Sequence, residues 1–471
     1  MTIRLACVLA AGTALGFSPA YAADLKSKIV KAVEAKDAAA TGIPEESIAT
    51  WLPEGMATAG GLRPALARHG VTFQLNYTGE AFSNASGGIK RGSAYDGRLE
   101  AVLDADLEKL MGWTGGTFHM NAFQIHGRGI SGDYVGSSLA VSNIEATPAT
   151  RLFELWFEQK LPGDIGSVRA GQLAADSEFI TSEYAGLFLN GTFGWPGIAA
   201  DNLINGGPAY PLATPGVRLM LQPNESTALL LAVFNGDPAG RSADEEDPQK
   251  LNRHGVNFRT HDDPFIIGEA QFKYAGFSGL PGMVKVGGWI HTGDFDDRRW
   301  GSDGLALGIT GSNGEPVVHK NNYAGYAVID QQIWHLPGGE PDKGIGVFAR
   351  IGGSPSDRNR VDFYADAGMN FKGLIAARPD DSFGVAFGYA NISSSARDLA
   401  RDLVNDGQAQ PIPDYEAVIE LTYQAQIAPG WTIQPNFQYI FHPGGNVSDP
   451  NDEAVPIRNA AVFGVRNQIK Y

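Results

Sequence analysis

The sequence predicts an all-β fold: a transmembrane antiparallel β-barrel of about 16 strands, preceded by a short helical N-terminal arm. Sixteen stretches alternate apolar and polar residues, as strands with one oily and one wet face do. The connections between them alternate short and long up to the C-terminus, a pattern that the two different rims of a membrane barrel explain. No run of 18 apolar residues occurs, so we do not expect a helix to cross the bilayer.

The first 22 residues have the features of a cleaved signal peptide. Arg4 supplies the positive charge, Leu5–Phe17 form the apolar stretch, and Ala20-Tyr21-Ala22 fits the small-residue rule for cleavage. We therefore expect residues 1–22 to be a signal peptide that directs export.

Residues 23–70 are expected to form an N-terminal periplasmic arm that is partly helical. Leu25–Ala40 is rich in Lys and Ala with helical spacing, and Leu62–His69 is predicted to be a short helix that Gly70 ends. The arm is either loosely held, paired with another subunit, or a plug for the pore.

Residues 71–471 are expected to form the barrel. In its first strand, Phe73, Leu75 and Tyr77 alternate with Gln74 and Asn76, which places the two sets on opposite faces. The expected strands are Val71–Phe82, Arg98–Leu110, Thr117–His126, Arg151–Lys160, Ser167–Leu173, Gly216–Leu221, Thr227–Asn235, Phe265–Tyr274, Met283–Thr292, Ala324–Trp334, Ile345–Ile351, Val361–Lys372, Phe383–Asn391, Tyr415–Gln426, Trp431–Phe441 and Asn459–Tyr471.

The physics of the bilayer requires this sheet to close. An unpaired backbone group in hydrocarbon costs several kcal/mol, so a sheet edge is not tolerated there. About 16 strands leave an aqueous channel, because side chains cannot fill so wide an interior. An even strand number returns both ends of the barrel chain to the periplasmic side, where the short Gly- and Pro-rich turns lie.

Composition excludes several other classes of protein. The formal net charge of −16 disfavours nucleic acid as a partner, because nucleic acid requires basic patches. The single cysteine, Cys7, lies in the expected signal peptide, so the exported chain would carry no thiol. We find no metal-ligand spacing, no nucleophile elbow and no Ser/His/Asp pattern, so neither a metal nor a cofactor is expected.

Four segments of the chain are distinctive: Phe118–Gly127, Arg151–Gln159, Gly171–Phe179 and Gln434–Gly445. They resemble the carbohydrate-selective porin (OprB) family, and the likeness runs from about Leu62 to Tyr471. The resemblance implies a sixteen-stranded barrel in the outer membrane of a Gram-negative type of cell, through which sugars, typically glucose, diffuse inward.

The strand Arg151–Lys160 supplies the first candidate pore-lining residues. Alternation points Glu154, Trp156 and Glu158 inward, and Phe153, Leu155 and Phe157 towards lipid. Trp156 would either stack on the CH groups of a sugar ring or pack beneath a loop that folds into the barrel.

Further inward candidates are mostly basic. Arg98, Arg169, Arg218 and Arg350 are expected on the inner face, where the guanidinium fork suits hydroxyl and carboxylate groups, or forms ion pairs that hold the wall. Trp289 and His291 form another inward set, in which the histidine is expected to be a polar lumen residue rather than a metal ligand.

The longest connection in the first half, Ala174–Pro215, is too apolar to extend into water. We expect it to fold into the barrel and narrow it, with Asp176 contributing to the constriction, or else to pack against a neighbouring subunit.

The expected function is passive, carbohydrate-selective diffusion of small sugars of the glucose type into the periplasm. The alternative, suggested by the inward arginines, is a general or anion-preferring small-solute porin. Glu154 and Glu158 could formally serve as a glycosidase pair, but they share one face of an open channel, which neither excludes water nor positions a glycosidic bond, so no enzyme is expected. The expected partners are small sugars and outer-membrane lipid, and assembly as a homotrimer stays open.

Overall fold

The structure, a computed structural model, describes residues 41–44, 46–245 and 247–471. The expected signal peptide, residues 1–22, and residues 23–40 of the expected arm lie outside the described residues. Sixteen strands form one closed barrel. They are β1 (Val71–Gly88), β2 (Gly92–Asp106), β3 (Gly116–Gly127), β4 (Ala149–Lys160), β5 (Gly166–Leu173), β6 (Thr214–Asn224), β7 (Thr227–Asn235), β8 (Pro264–Ala275), β9 (Pro281–Gly301), β10 (Pro316–His335), β11 (Gly344–Gly353), β12 (Val361–Lys372), β13 (Ser382–Ile392), β14 (Tyr415–Ala428), β15 (Trp431–Phe441) and β18 (Arg458–Lys470).

The remaining elements lie in the connections and before the first strand. The last long connection contains a small hairpin of β16 (Ser448–Asp449) and β17 (Asp452–Pro456). Among the described residues, no helix is long and apolar enough to cross a bilayer. The helices are Glu54–Ala57, Leu62–Ala67, Leu107–Met111, Gly197–Ala200, Pro248–Leu251, Ser394–Asn405 and Pro443–Asn446, with 3-10 turns at Ile48–Trp51, Pro162–Asp164, Ala185–Leu187, Gly191–Phe193, Ile204–Gly206 and Phe277–Gly279 and a π-helical turn at Ser131–Val135.

The barrel closes where its first strand meets its last. β1 pairs with β18 in antiparallel register, with Asn76 opposite Lys470 and Ser83 opposite Phe463. Each other barrel strand pairs with its neighbours along the chain, again antiparallel. The wall therefore has no free edge, as hydrocarbon requires.

All sixteen expected strands are present in the predicted order, and the differences lie at their ends. The prediction that the second strand continues to Leu110 is wrong, because β2 ends at Asp106. The Asp106 side chain accepts hydrogen bonds from the backbone N–H groups of Glu108 and Lys109, at 3.0 and 3.2 Å. This N-cap starts the short helix Leu107–Met111 at the barrel rim.

The outward face of the barrel is apolar. Val217, Leu231 and Val233 lie on regular strands, yet they are highly exposed: Val217 and Leu231 are each 50% exposed, and Val233 is 42% exposed. Aliphatic residues exposed in this way on consecutive strands form the band that lipid covers in a membrane barrel.

One residue that the alternation assigns to lipid faces inward instead. Between the pairs Met120–Leu155 and Ala122–Leu152, the residues Phe153 and Glu154 together oppose a single residue of β3. This β-bulge changes the alternation, so both side chains point into the barrel. Phe153 is buried there against Phe123, with 4.9 Å between the ring centroids. The prediction that Phe153 faces lipid is therefore wrong.

The segment before β1 packs against the end of the chain. The Ser47 hydroxyl lies 3.5 Å from the backbone oxygen of Lys470, and the Tyr471 hydroxyl donates to the backbone oxygen of Met56. The short helix expected near Leu62 spans Leu62–Ala67. These contacts place residues 46–69 at the rim that carries the short turns.

Candidate functional site: the channel interior

The inner loop, residues 174–213 between β5 and β6, folds into the barrel. The backbone N–H of Ile180 donates to Glu269 on β8 at 2.9 Å, and that of Leu189 donates to Glu420 on β14 at 2.7 Å. The loop therefore lies against the inner face from β8 to β14, and the prediction that it folds inward is confirmed. Its buried apolar side chains include Phe179, Phe188, Phe193 and Ile198.

Arg350 holds this loop in place. Its guanidinium donates to the backbone oxygens of Ile180, Thr192 and Gly194, at 3.0, 3.0 and 3.2 Å. It also pairs with Asp366 at 2.5 Å, and only 3% of the residue is exposed. Arg350 points inward as predicted, but these contacts give it the structural role that the sequence analysis left as an alternative.

A second connection, residues 128–148 between β3 and β4, also folds inward, which the sequence analysis did not anticipate. Glu416 on β14 accepts hydrogen bonds from the Ser137 hydroxyl at 2.6 Å and from the Leu139 N–H at 2.9 Å. Apolar residues in this connection, which are buried in the structure, could have indicated in the sequence that it folds inward. They are Ile130, Val135, Leu139, Val141 and Ile144.

The contact between these two loops includes hydrogen bonds between their backbones. The Gly191 N–H donates to the Ala140 oxygen at 2.7 Å, and the Asn143 N–H donates to the Leu189 oxygen at 2.8 Å. Because each loop satisfies polar groups of the other, the two form one body inside the barrel.

The opposite wall carries a four-membered charged cluster, made of Glu158, Arg169, Arg218 and Glu178. Glu158 on β4 pairs with Arg169 on β5 at 2.8 Å and with Arg218 on β6 at 2.6 Å. Glu178 of the inner loop pairs with Arg218 at 2.8 Å and with Arg169 at 3.5 Å. The side chains of Glu158, Arg169 and Glu178 keep between 18 and 21% exposure, whereas that of Arg218 keeps 2%.

Trp156 lies directly beside this cluster. The guanidinium carbon of Arg169 is 3.8 Å from the ring centroid of Trp156, and the ring of His119 stacks on it at 4.6 Å with an interplanar angle of 14°. His119 comes from β3 and Arg169 from β5, the neighbours on the two sides of β4, so they cover opposite ring faces. A sugar ring has no free face of Trp156 to stack on in this arrangement.

Arg98, Asp176 and Glu154 surround a smaller aromatic contact above the cluster. The guanidinium carbon of Arg98 lies 4.7 Å from the ring centroid of Phe123 and 5.0 Å from that of Tyr210. Glu154 is buried and accepts a hydrogen bond from the Ala174 N–H at 3.1 Å. These residues hold the start and the end of the inner loop against β2, β3 and β4.

Asp176, at the start of the inner loop, is a second carboxyl group of this contact, beside the buried Glu154. It accepts a hydrogen bond from the Tyr210 N–H at 2.8 Å. Burial raises the pKa of Asp176 to about 6, although that hydrogen bond and the charge of Arg98 act in the opposite direction. Its charge therefore changes within the range of mildly acidic pH.

The remaining two candidates, Trp289 and His291, are on the inner face but covered. Each is at most 3% exposed. His291 accepts a hydrogen bond from the Gly293 N–H at 3.1 Å, and its other ring nitrogen lies 3.1 Å from the Gly236 oxygen. The contact with Gly236 attaches His291 to the start of the fourth loop, residues 236–263.

Sequence reasoning did not select three residues that the structure places in the same region. Glu178 completes the charged cluster, His119 covers Trp156, and Asp104 lies 2.7 Å from a His119 ring nitrogen. The alternation places His119 and Asp104 on the inner face. Only the pairing of β2, β3 and β4 shows that His119 reaches Trp156 and that Asp104 reaches His119. Within the described parts of the chain, no group of three or more His, Cys, Asp or Glu side chains is arranged to hold a metal ion.

Comparison with known proteins agrees with this geometry. A family model described as "Carbohydrate-selective porin, OprB family" matches residues 90–471. Porin B of Pseudomonas aeruginosa is 25% identical over 434 residues, which cover 87% of this chain and 89% of that protein. The solved high-pH structure of Pseudomonas putida OprB is similar with a TM-score of 0.77 at 23% identity, covering 88% of this chain and 97% of that one.

Proposed function

The chain belongs to the carbohydrate-selective porin, OprB family, and we propose that its solutes are small monosaccharides of the glucose type. It is a sugar porin of the Gram-negative outer membrane, and its family and fold are those of a channel. Support for the solute class, and for the residues that contact the solute, comes from the interior of the barrel.

The charged cluster is the observation that carries this proposal. Glu158, Arg169 and Glu178 are the members that keep partial exposure, and they present carboxylate and guanidinium groups about 3 Å apart. A sugar hydroxyl both donates and accepts, so it can bind to a carboxylate and a guanidinium at once. Several weak bonds of this kind slow a sugar without trapping it, as a conducting channel requires.

We assign Trp156 the role of positioning Arg169. The indole holds the guanidinium at 3.8 Å, which limits the directions in which Arg169 can point. This replaces direct stacking of a sugar on the indole, since His119 and Arg169 occupy the two faces of the ring.

Arg169→Gln should weaken the block of single-channel current by glucose about tenfold. The reason is that the variant should lose charge-assisted hydrogen bonds to the sugar that together contribute roughly 1.5–3 kcal/mol to its binding. Trp156→Ala should weaken the block by a smaller factor, because Arg169 remains but is less ordered. The measurement is the concentration of glucose that halves the mean single-channel current in a planar bilayer.

Arg401→Gln serves as the matched control, because Arg401 is exposed on the outer helix Ser394–Asn405 and its side chain pairs only with Asp398 among the described residues. Its glucose block should equal that of the wild type. Equal block in Arg169→Gln and in the wild type would remove the cluster from the sugar path. Equal liposome swelling in glucose and in an amino acid of similar size would reduce the protein to a general porin.

The alternative, a preference for anions, has less support in this cluster. Two arginines face two glutamates within 3.5 Å, so the cluster has no excess positive charge. Such a balance suits an uncharged solute better than an anion. The reversal potential in a salt gradient separates the two hypotheses, since an anion-preferring channel would shift it towards the chloride potential.

We propose that the channel catalyses no reaction. Glu158 is engaged by two arginines, and Glu154 is buried beneath the Ala174 N–H, so the pair does not present an acid and a base to one glycosidic bond.

We also propose that copies of the chain associate as a homotrimer through the outward face of β1–β3. Polar groups are costly next to lipid, yet the Tyr77 hydroxyl on this face lies 2.5 Å from the Tyr95 hydroxyl and 3.3 Å from a His126 ring nitrogen. A neighbouring copy would cover this cluster. Light scattering in detergent should give three chains per particle, and one chain per particle would contradict the proposal.

A further inference from the structure

A cavity of about 370 Å³ opens on the inner face of the barrel at its periplasmic end. It lies where β1, β2, β3 and β4 meet the short connection 107–115 and the end of the segment before β1. All four strands contribute polar side chains to its lining, among them Thr72, Asp104, Thr117 and Lys160. Thr72 lies opposite Asp104 in the pairing of β1 with β2. The cavity is large enough for one small solute, since small-molecule sites have volumes of roughly 300–1,000 Å³.

Strand alternation and pairing point the side chains of this cavity towards the channel axis. Lys160 is on the same face of β4 as Glu158 of the charged cluster. Thr117 is on the same face of β3 as His119, and Asp104 lies opposite His119 on β2. Thr117 also lies directly opposite Glu158 in the pairing of β3 with β4. The cavity is therefore the next polar place that a solute meets between the charged cluster and the periplasm.

Several polar groups of this cavity are free to contact a solute. Within the described part of the chain, the hydroxyls of Thr72 and Thr117 make no hydrogen bond, and the Lys160 ammonium makes neither a hydrogen bond nor an ion pair. The Asp104 side chain is 40% exposed and makes one hydrogen bond, of 2.7 Å, with a ring nitrogen of His119. A carboxylate has about four acceptor positions, so Asp104 keeps most of its capacity.

The charges around the cavity nearly cancel. Its lining carries three carboxylates, those of Asp104, Asp106 and Glu108, against the two ammonium groups of Lys109 and Lys160, which leaves one negative charge. Asp106 and Lys109 also lie 3.7 Å from each other. A lining of mixed sign suits an uncharged solute with hydroxyl groups better than an anion.

A chain of contacts joins the cavity to the charged cluster. The ring of His119, which Asp104 contacts, stacks on Trp156 at 4.6 Å between centroids. The guanidinium carbon of Arg169 lies 3.8 Å from the centroid of the same indole, on its opposite face. A solute that moves along this wall therefore passes from Arg169 to Asp104 without losing contact with polar groups.

We propose that this cavity is a second sugar subsite, which receives a monosaccharide from the charged cluster and releases it to the periplasm. The inference rests on the proposed function, because the solute is taken to be the same sugar. A sugar hydroxyl can donate to the Asp104 carboxylate and accept from the Lys160 ammonium, and the hydroxyls of Thr72 and Thr117 can do either. Several weak sites in series suit a conducting channel, since each site releases the solute to the next.

The test uses a single thiol placed in the cavity. Cys7 is the only cysteine and lies in the expected signal peptide, so Thr117→Cys gives the exported chain one thiol. The rate at which N-ethylmaleimide labels this thiol is measured in detergent with and without glucose. High glucose should slow the labelling at least about threefold, which requires the cavity to be occupied for about two thirds of the time.

Thr432→Cys is the matched control. Thr432 is also a half-buried threonine at the periplasmic end of its strand, β15, and it shares the inner face with Gln434. It does not line the cavity. Its labelling rate should be the same with and without glucose, and equal slowing at the two positions would overturn the subsite.

Two further changes in the Thr117→Cys chain separate the cavity from the charged cluster. With Arg169→Gln added, glucose should still protect the thiol, because the cavity binds the sugar with its own groups. With Asp104→Asn added, the glucose concentration that halves the labelling rate should rise at least about threefold, because the side chain keeps its shape and loses only its charge.

The outcomes distinguish this subsite from the proposed function. Protection that disappears with Arg169→Gln would mean that a sugar at the cluster shields the thiol, and it would overturn the subsite. The same conclusion follows if Asp104→Asn changes nothing, or if glucose blocks the single-channel current of Thr117→Cys but does not protect its thiol, and in both cases the proposed function stands. Glucose that neither blocks the current of the wild type nor protects the thiol would contradict both.

Discussion

Deleting Phe188–Trp195 should raise the single-channel conductance at least about twofold, because a barrel of 16 strands is wide enough for water once its interior is cleared. Phe188 and Phe193 are at most 2% exposed and pack against Phe348 of β11, with ring centroids 5.8 and 6.2 Å apart. The segment also contains Thr192 and Gly194, whose backbone oxygens Arg350 binds. The deletion therefore removes bulk from the lumen and releases the attachment of what remains.

The control is deletion of the equally long segment Asp449–Pro456, which forms most of the exposed outer hairpin of β16 and β17. Its removal should leave the conductance near that of the wild type, because it fills no part of the lumen. Both variants must keep the heat-dependent gel mobility of a folded barrel. A conductance unchanged by the inner deletion would show that the inner loop does not limit the current.

The strands of the barrel wall could be predicted from the sequence because they follow one regular pattern. Each strand has one face towards lipid and one towards water, so the alternation of residues locates strands and faces together. The rule fails where backbone geometry departs from a regular strand. The cap at Asp106 ends β2 early, and the bulge at Phe153 and Glu154 turns two consecutive side chains to the same side.

The interior could be predicted less completely, because alternation gives the direction of a side chain and not what covers it. Arg169 and Arg350 both point inward, yet Arg169 remains partly exposed while Arg350 is enclosed by the inner loop. That difference depends on which loop contacts which strand, over separations such as 170 residues between Ile180 and Arg350. Trp156 is a similar case, because its covering groups come from two other strands.

The apolar residues of a second loop also indicated that it folds inward, although the sequence analysis drew this conclusion only for the inner loop. The apolar content of the inner loop predicted that it folds inward, and the contact of Leu189 with Glu420 confirms this. The second connection has comparable apolar residues, including Val135 and Val141, and it also folds inward. An apolar loop of a membrane barrel has few places to bury its side chains other than the lumen, so the same argument applies to both.

Arg63→Ala should lower the free energy of unfolding by about 3 kcal/mol, because the guanidinium makes two cation–π contacts and two hydrogen bonds to backbone oxygens. Arg63 is 1% exposed and lies between two rings, with its guanidinium carbon 4.3 Å from the centroid of Phe73 and 4.5 Å from that of Tyr471. It donates to the backbone oxygens of Phe73 and Gly42, at 2.8 and 3.1 Å. Arg63 therefore ties the first strand to the last residue of the chain.

This position matters because the two strands meet at the closing seam of the barrel. Tyr471 exchanges two backbone hydrogen bonds with Leu75, each of 2.8 Å, at the periplasmic end of that seam. The measurement is the temperature at which the folded band disappears in a gel with sodium dodecyl sulfate. Arg63→Lys should be destabilised nearly as much, since an ammonium cannot lie flat between two rings. Arg68→Ala, an exposed arginine just past the same helix, should keep the wild-type temperature. An equal fall for Arg63→Ala and Arg68→Ala would mean that the helix as a whole, rather than the contact with Tyr471, stabilises the seam.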